Sequence, residues 1–111
     1  MPHIARVWFG KLPASRAEEY VEYVKRTGVA ELRATKGNLG VLVLTRQDGE
    51  VAEISVISFW DSLESIEGFA GKDINKAHYY PEDHKFLLSL EPELNHYVIA
   101  GSFPEGGVLS E

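Results

Sequence analysis

The chain has 111 residues, a formal net charge of −6 and 11 scattered basic residues, which excludes the clustered Lys and Arg of a nucleic-acid surface and contact with an anionic membrane. Its hydrophobic fraction of 44% and charged fraction of 25% are those of one soluble globular domain, and the absence of cysteine excludes disulfides, thiolate metal sites and cysteine nucleophiles. No apolar run approaches the roughly 20 residues of a membrane span and no charged-then-apolar leader precedes the first strand, so a cytoplasmic protein is expected.

His3 to Phe9 alternates, with Ile4, Arg6 and Trp8 on one face and Ala5, Val7 and Phe9 on the other. That is the period of a strand. Pro13 and the box Ser15-Arg16-Ala17-Glu18 open a helix with the stripe Ala17, Tyr20, Val21 and Val24, and Gly28 ends it. Val29 to Lys36 reads as a short helix or a loop, and Gly37, Asn38 and Gly40 mark a turn. Leu39 to Arg46 is a strand apolar on both faces, Gln47 to Glu50 a hairpin turn, and Val51 to Trp60 the returning strand. Asp61-Ser62-Leu63-Glu64 is an acidic capping box with Asp61 as the cap. Leu63, Ile66, Phe69 and Ala70 then repeat at helical spacing, and Gly71 stands where a left-handed C′ residue belongs. A short segment from Asp73 ends in Ala77-His78-Tyr79-Tyr80 and is halted by Pro81. Glu82 to Leu90 reads as a last helical segment and Leu94 to Ala100 as the final strand. Residues 1–102 form the domain, and 103–111 are a Gly/Pro/Glu-rich C-terminal tail.

The order β-α-β-β-α-β makes this an α+β chain. Crossover rules fold it into a ferredoxin-like antiparallel sheet of four strands with both helices on one face. The other face is apolar and no segment remains to cover it. A second copy packed sheet against sheet is the simplest cover, so a homodimer is expected.

The stretch from Phe59 to His78, F-W-D-S-L-E-S-I-E-G-F-A-G-K-D-I-N-K-A-H, resembles the antibiotic biosynthesis monooxygenase-like proteins of the dimeric α+β barrel superfamily. The shared features are a strand-end Trp, an acidic residue after it, an aromatic on the helix and an Ala-His beyond. The resemblance implies a small dimer in which each subunit carries a pocket between its helices and its sheet. Some members oxidise polycyclic aromatic molecules with O₂ and neither metal nor flavin; others bind and degrade haem; others have no assigned activity. Against the haem-degrading branch, Phe69 stands where that branch has a Trp, His78 lies close to the register of its pocket His, and its strand-one Asn has no counterpart here.

His78 with Tyr79 and Tyr80 forms the candidate catalytic cluster. An ordinary imidazole titrates near pH 6.5 and accepts a proton from an activated phenol, and the electron-rich anion then reacts with O₂. His78 equally suits a helix C-terminal cap. Trp60, Phe69, Trp8 and Arg6 are the candidate substrate-binding residues. The two Trp also suit core or dimer interface, and Arg6 a salt bridge to Glu53 or another strand acid. His78 and His84 lack the i, i+4 spacing of a helical metal pair, so no metal is expected. Nothing reads as a phosphate loop or a G-x-S-x-G elbow. The leading expectation is a cofactor-independent monooxygenase-type enzyme acting on an aromatic or quinone-like small molecule. The alternatives are a haem-binding or haem-degrading protein with His78 as ligand, and a non-catalytic small-molecule-binding dimer.

Overall fold

A computed structural model describes residues 3–104 of the chain. Four strands, β1 (Ile4–Pro13), β2 (Asn38–Asp48), β3 (Val51–Trp60) and β4 (Asn95–Val98), form one sheet in the order β2-β3-β1-β4. Every neighbouring pair is antiparallel. This is the ferredoxin-like arrangement expected from the element order. The β2–β3 hairpin turns at Gly49, whose φ of 64° lies in the left-handed region that glycine tolerates. Tyr79 and Tyr80 fall outside any helix or strand, in the loop that joins the last helix to β4.

The first helical stretch is longer than its sequence suggests. A 3-10 turn (Ala14–Arg16) leads into α1 (Ala17–Val24), a π turn (Lys25–Val29) and α2 (Ala30–Ala34). Gly28 does not end it. The cost of a helical glycine, about 1 kcal/mol, is outweighed by what continuation buries, since Leu32 is 5% exposed and Val29 packs against the core.

α3 (Leu63–Ala70) closes at Gly71 with φ 80°, as expected, but its cap is Ser62 rather than Asp61. Ser62 Oγ accepts the Ser65 amide at 3.2 Å, while Asp61 Oδ1 accepts the hydroxyls of Ser62 and Ser65. Gly37 comes so close to this cap that an added Cβ would collide with the Ser65 hydroxyl.

Residues 82–90 form no helix beyond a 3-10 turn at Asp83–Lys85. Tertiary bonds outcompete the local ladder there. Tyr20 Oη donates to the buried Asp83 carboxylate at 2.9 Å, the Glu82 amide donates to Tyr23 Oη at 3.1 Å, and the Leu88 amide donates to the Lys11 carbonyl at 2.9 Å. The final strand is likewise shorter than read, Asn95–Val98. Of the expected tail, residues 105–111 lie outside the described residues.

The core lies between the helices and one sheet face. Ile4, Leu12, Ala52, Ile54, Val56 and Trp60 from the strands meet Tyr20, Tyr23, Val24, Leu32, Ile66 and Phe86. Alternation therefore turns Ala5, Val7, Phe9, Leu42, Leu44, Ile57, Phe59 and Tyr97 to the opposite face. There Phe9 is 52%, Leu44 48% and Tyr97 55% exposed. No described helix is long and apolar enough to cross a membrane.

Candidate active site

A cleft of about 70 Å³ opens between the helical layer and the sheet. Arg6 and Trp8 from β1, Val56 and Ser58 from β3, and Phe69 from α3 line one side. The π turn and α2 supply Thr27, Gly28 and Leu32, and the loop before β4 supplies His78, Tyr79 and Tyr80. Six of the seven residues singled out in the sequence thus line one cleft; the seventh, Trp60, does not. Its ring is fully buried in the core, where Nε1 donates to Ser58 Oγ at 2.9 Å.

His78 stands at the mouth, its side chain 43% exposed, with Nε2 4.0 Å from Glu31 Oε1. Its ring leans on Phe69 at 5.3 Å and meets Tyr80 edge-on at 4.9 Å between centroids. A half-exposed pair of this length adds little to stability. It leaves one ring nitrogen for a ligand.

The two tyrosines differ. Tyr79 Oη donates to the Glu91 carbonyl at 2.6 Å and accepts Trp8 Nε1 at 3.2 Å, so its proton is already engaged. It holds Trp8 in the wall, and burial raises its pKa. Tyr80 Oη is buried with no hydrogen-bond partner among the described residues. Burial first, and the Glu31 carboxylate second, push its pKa well above the ordinary phenol range. The Glu31 carboxylate draws on the proton of this neutral hydroxyl, so a ligand oxygen that binds it takes the place of Glu31.

Arg6 is 4% exposed and has no salt bridge to Glu53, which instead faces Arg46 at 3.4 Å on the far side of the sheet. The Arg6 guanidinium donates to the Ile74 and Lys76 carbonyls and, through Nη1, to His96 Nε2 at 3.0 Å. It also lies 5.6 Å from the centre of the Phe69 ring. Burial lowers its pKa to about 10, which leaves it a cation at neutral pH.

Sequence reasoning missed five participants. Glu31, Thr27 and Leu32 lie in or beyond the π turn where Gly28 was taken as the stop; the helical spacing of Val29 and Leu32 was the available signal. Asp83 lies in the segment expected to form the last helix, but its carboxylate takes the Tyr20 hydroxyl and the Tyr80 amide. His96 stands opposite Arg6 only through the β1–β4 register.

His96 carries a pH dependence. Accepting from Arg6 requires a lone pair on Nε2, and Nδ1 lies 3.2 Å from Asn75 Oδ1. Burial, then the Arg6 charge, lowers its pKa to about 4. The unfolded chain therefore takes the proton first as pH falls. The stabilisation is complete above about pH 6.5 and is lost as pH falls toward 4. Because the ring is only partly buried, the loss is on the order of 1 kcal/mol. Melting temperature against pH should flatten over this window in His96→Gln; an unchanged slope would assign the acid sensitivity elsewhere.

No protein-family model and no curated protein matches the chain. Solved structures do. Rv0793 from Mycobacterium tuberculosis superposes with a TM-score of 0.56 at 16% identity, over 91% of this chain and 95% of that one. A candidate antibiotic biosynthesis monooxygenase from Bacillus cereus superposes with a TM-score of 0.67 at 13% identity, over 92% of this chain and 97% of that one. Over nearly its whole length, the chain thus has the fold seen in that monooxygenase-like structure.

Proposed function

We propose that this chain is a cofactor-independent monooxygenase-type enzyme of the antibiotic biosynthesis monooxygenase-like family, acting on a phenol-like or quinone-like aromatic molecule. One observation carries the reading: a basic ring (His78), an unpartnered hydroxyl (Tyr80), a buried cation (Arg6) and the Trp8 and Phe69 rings converge on one cleft. His78 takes the substrate's hydroxyl proton, the Glu31 carboxylate supports the resulting imidazolium, and Tyr80 orients the substrate oxygen. The phenolate delivers electrons from its ring carbon to O₂, forming a C–O bond and a hydroperoxide. Loss of that carbon's proton with O–O cleavage releases water and leaves a carbonyl, so phenol plus O₂ gives quinone plus water. O₂ is the only oxidant and no external reductant enters.

Haem fits this cleft poorly. The volume of about 70 Å³ is well below the ~300–1,000 Å³ of pockets that enclose drug-sized ligands, so no step is routed through haem. The test is oxygen uptake by the purified protein across a panel of single-ring phenols. One O₂ consumed per quinone formed supports the reading. Ligand-dependent thermal stabilisation without uptake would replace it with a non-catalytic binder.

The working unit in this reading is a homodimer joined through the sheet face that carries Phe9, Leu44 and Tyr97, whose exposure supports it. Light scattering at micromolar concentration should give twice the chain mass, and Phe9→Asp should give the monomer. A wild-type monomer would contradict it.

A further inference from the structure

Arg6 presents a problem of charge. It is 4% exposed, and none of the ion pairs among the described residues includes it. Its three hydrogen bonds go to two backbone carbonyls and a ring nitrogen. A guanidinium has five N–H donors, so two have no partner among the described residues. A buried cation is ordinarily matched by an anion. The Tyr80 hydroxyl, also buried and without a partner, belongs to the same cleft. Among the described residues Arg6 lacks a negative acceptor, and the Tyr80 hydroxyl has only the Glu31 carboxylate drawing on its proton.

The rest of the wall says what carries the charge. Trp8, Phe69 and Tyr80 are flat apolar surfaces, and the Arg6 guanidinium lies against one of them. An inorganic anion would have no use for them. At about 70 Å³ the cleft is smaller than the ~150 Å³ cavity that holds a benzene, so its size allows at most one ring, and only with an edge left at the mouth, beside His78.

We propose that the cleft holds the anion of a single-ring aromatic acid, an arene carboxylate taken up as such or the phenolate left when His78 takes the hydroxyl proton, with its charged oxygen on the Arg6 guanidinium and the Tyr80 hydroxyl. This names the substrate class of the reading above and rests on that reading's choice of site. Arg6 is the specificity determinant: it distinguishes the anion from a neutral molecule of the same shape.

The test compares isosteres on the full chain by calorimetry or Trp fluorescence at pH 8.5: benzoate with benzamide, and 4-nitrophenolate with nitrobenzene. At least one anion is expected to bind about tenfold or more tighter than its neutral partner; which one does so separates carboxylate from phenolate. Arg6→Gln should remove that preference while the neutral partner binds as before. Tyr80→Phe should weaken the anion several-fold and spare the neutral ring. Arg6 also ties down residues 74–76; should Arg6→Gln fail to fold, the wild-type ratio and Tyr80→Phe decide. Equal affinities within both pairs, no binding of either anion up to about 10 mM, or a preference that survives Arg6→Gln would each overturn the proposal. Anion-selective binding without oxygen uptake would leave it standing and remove the monooxygenase reading. Turnover of neutral aromatics without anion preference would do the reverse.

Discussion

His78→Ala is expected to lower turnover of a phenolic substrate by about 10²–10⁴-fold, the range a positioned general base contributes, and to leave the melting temperature nearly unchanged. The two halves of this result have separate causes. The ring is the basic group that the fold places at the cleft mouth, so proton removal stops with it. Yet its side chain is 43% exposed and its ion pair with Glu31 spans 4.0 Å. Substitutions at such positions usually shift stability by less than about 0.5 kcal/mol. Glu31→Gln should have a smaller effect on turnover, because it removes only the support of the protonated ring. Steady-state oxygen uptake alongside thermal melts reads both. Intact turnover in His78→Ala would remove it from the mechanism; a large fall in melting temperature would make its role structural.

Trp60→Ala is expected to cost about 3–5 kcal/mol, a large share of the ~5–15 kcal/mol that holds a domain of this size together. Trp60 is fully buried where β3 ends, with Ile4 of β1 and Asn38 of β2 as its cross-strand neighbours. Nothing nearby can refill an indole's volume without moving the sheet. Trp60→Phe keeps most of the packing but takes the donor from the Ser58 hydroxyl, a loss of about 1–3 kcal/mol. Urea denaturation of both variants checks the order. If alanine cost no more than phenylalanine, the ring would not be the packing centre of this end of the sheet.

The strands were legible because their signal is local. Ile4 to Trp8 and Val51 to Trp60 alternate, and Gly49 punctuates the hairpin. Once the elements were known, crossover rules left a single topology. The helix boundaries were less legible because tertiary contacts decide them: Leu32 extends the first helical stretch past Gly28, and Asp83 is drawn into the core by the Tyr20 hydroxyl.

At the site, a cluster around His78 was readable as residue types, but the roles within it depend on hydrogen bonds between distant segments. Tyr79 and Tyr80 are chain neighbours, yet one hydroxyl is tied to Glu91 and Trp8 while the other has no partner. Arg6 was readable as a charge between Ile4 and Trp8 on one strand face. The absence of an acid opposite it required the β1–β4 register, which brings His96 there instead.

The most direct measurement is an amide-resolved NMR titration of the wild-type protein with a single-ring phenol. The perturbed amides should cluster in residues 6–8, 27–32 and 74–80, around the cleft, and spare the sheet's far face at Phe9, Leu44 and Tyr97. Perturbation confined to that far face, or none at saturating ligand, would mean that the cleft is not where this protein meets its substrate.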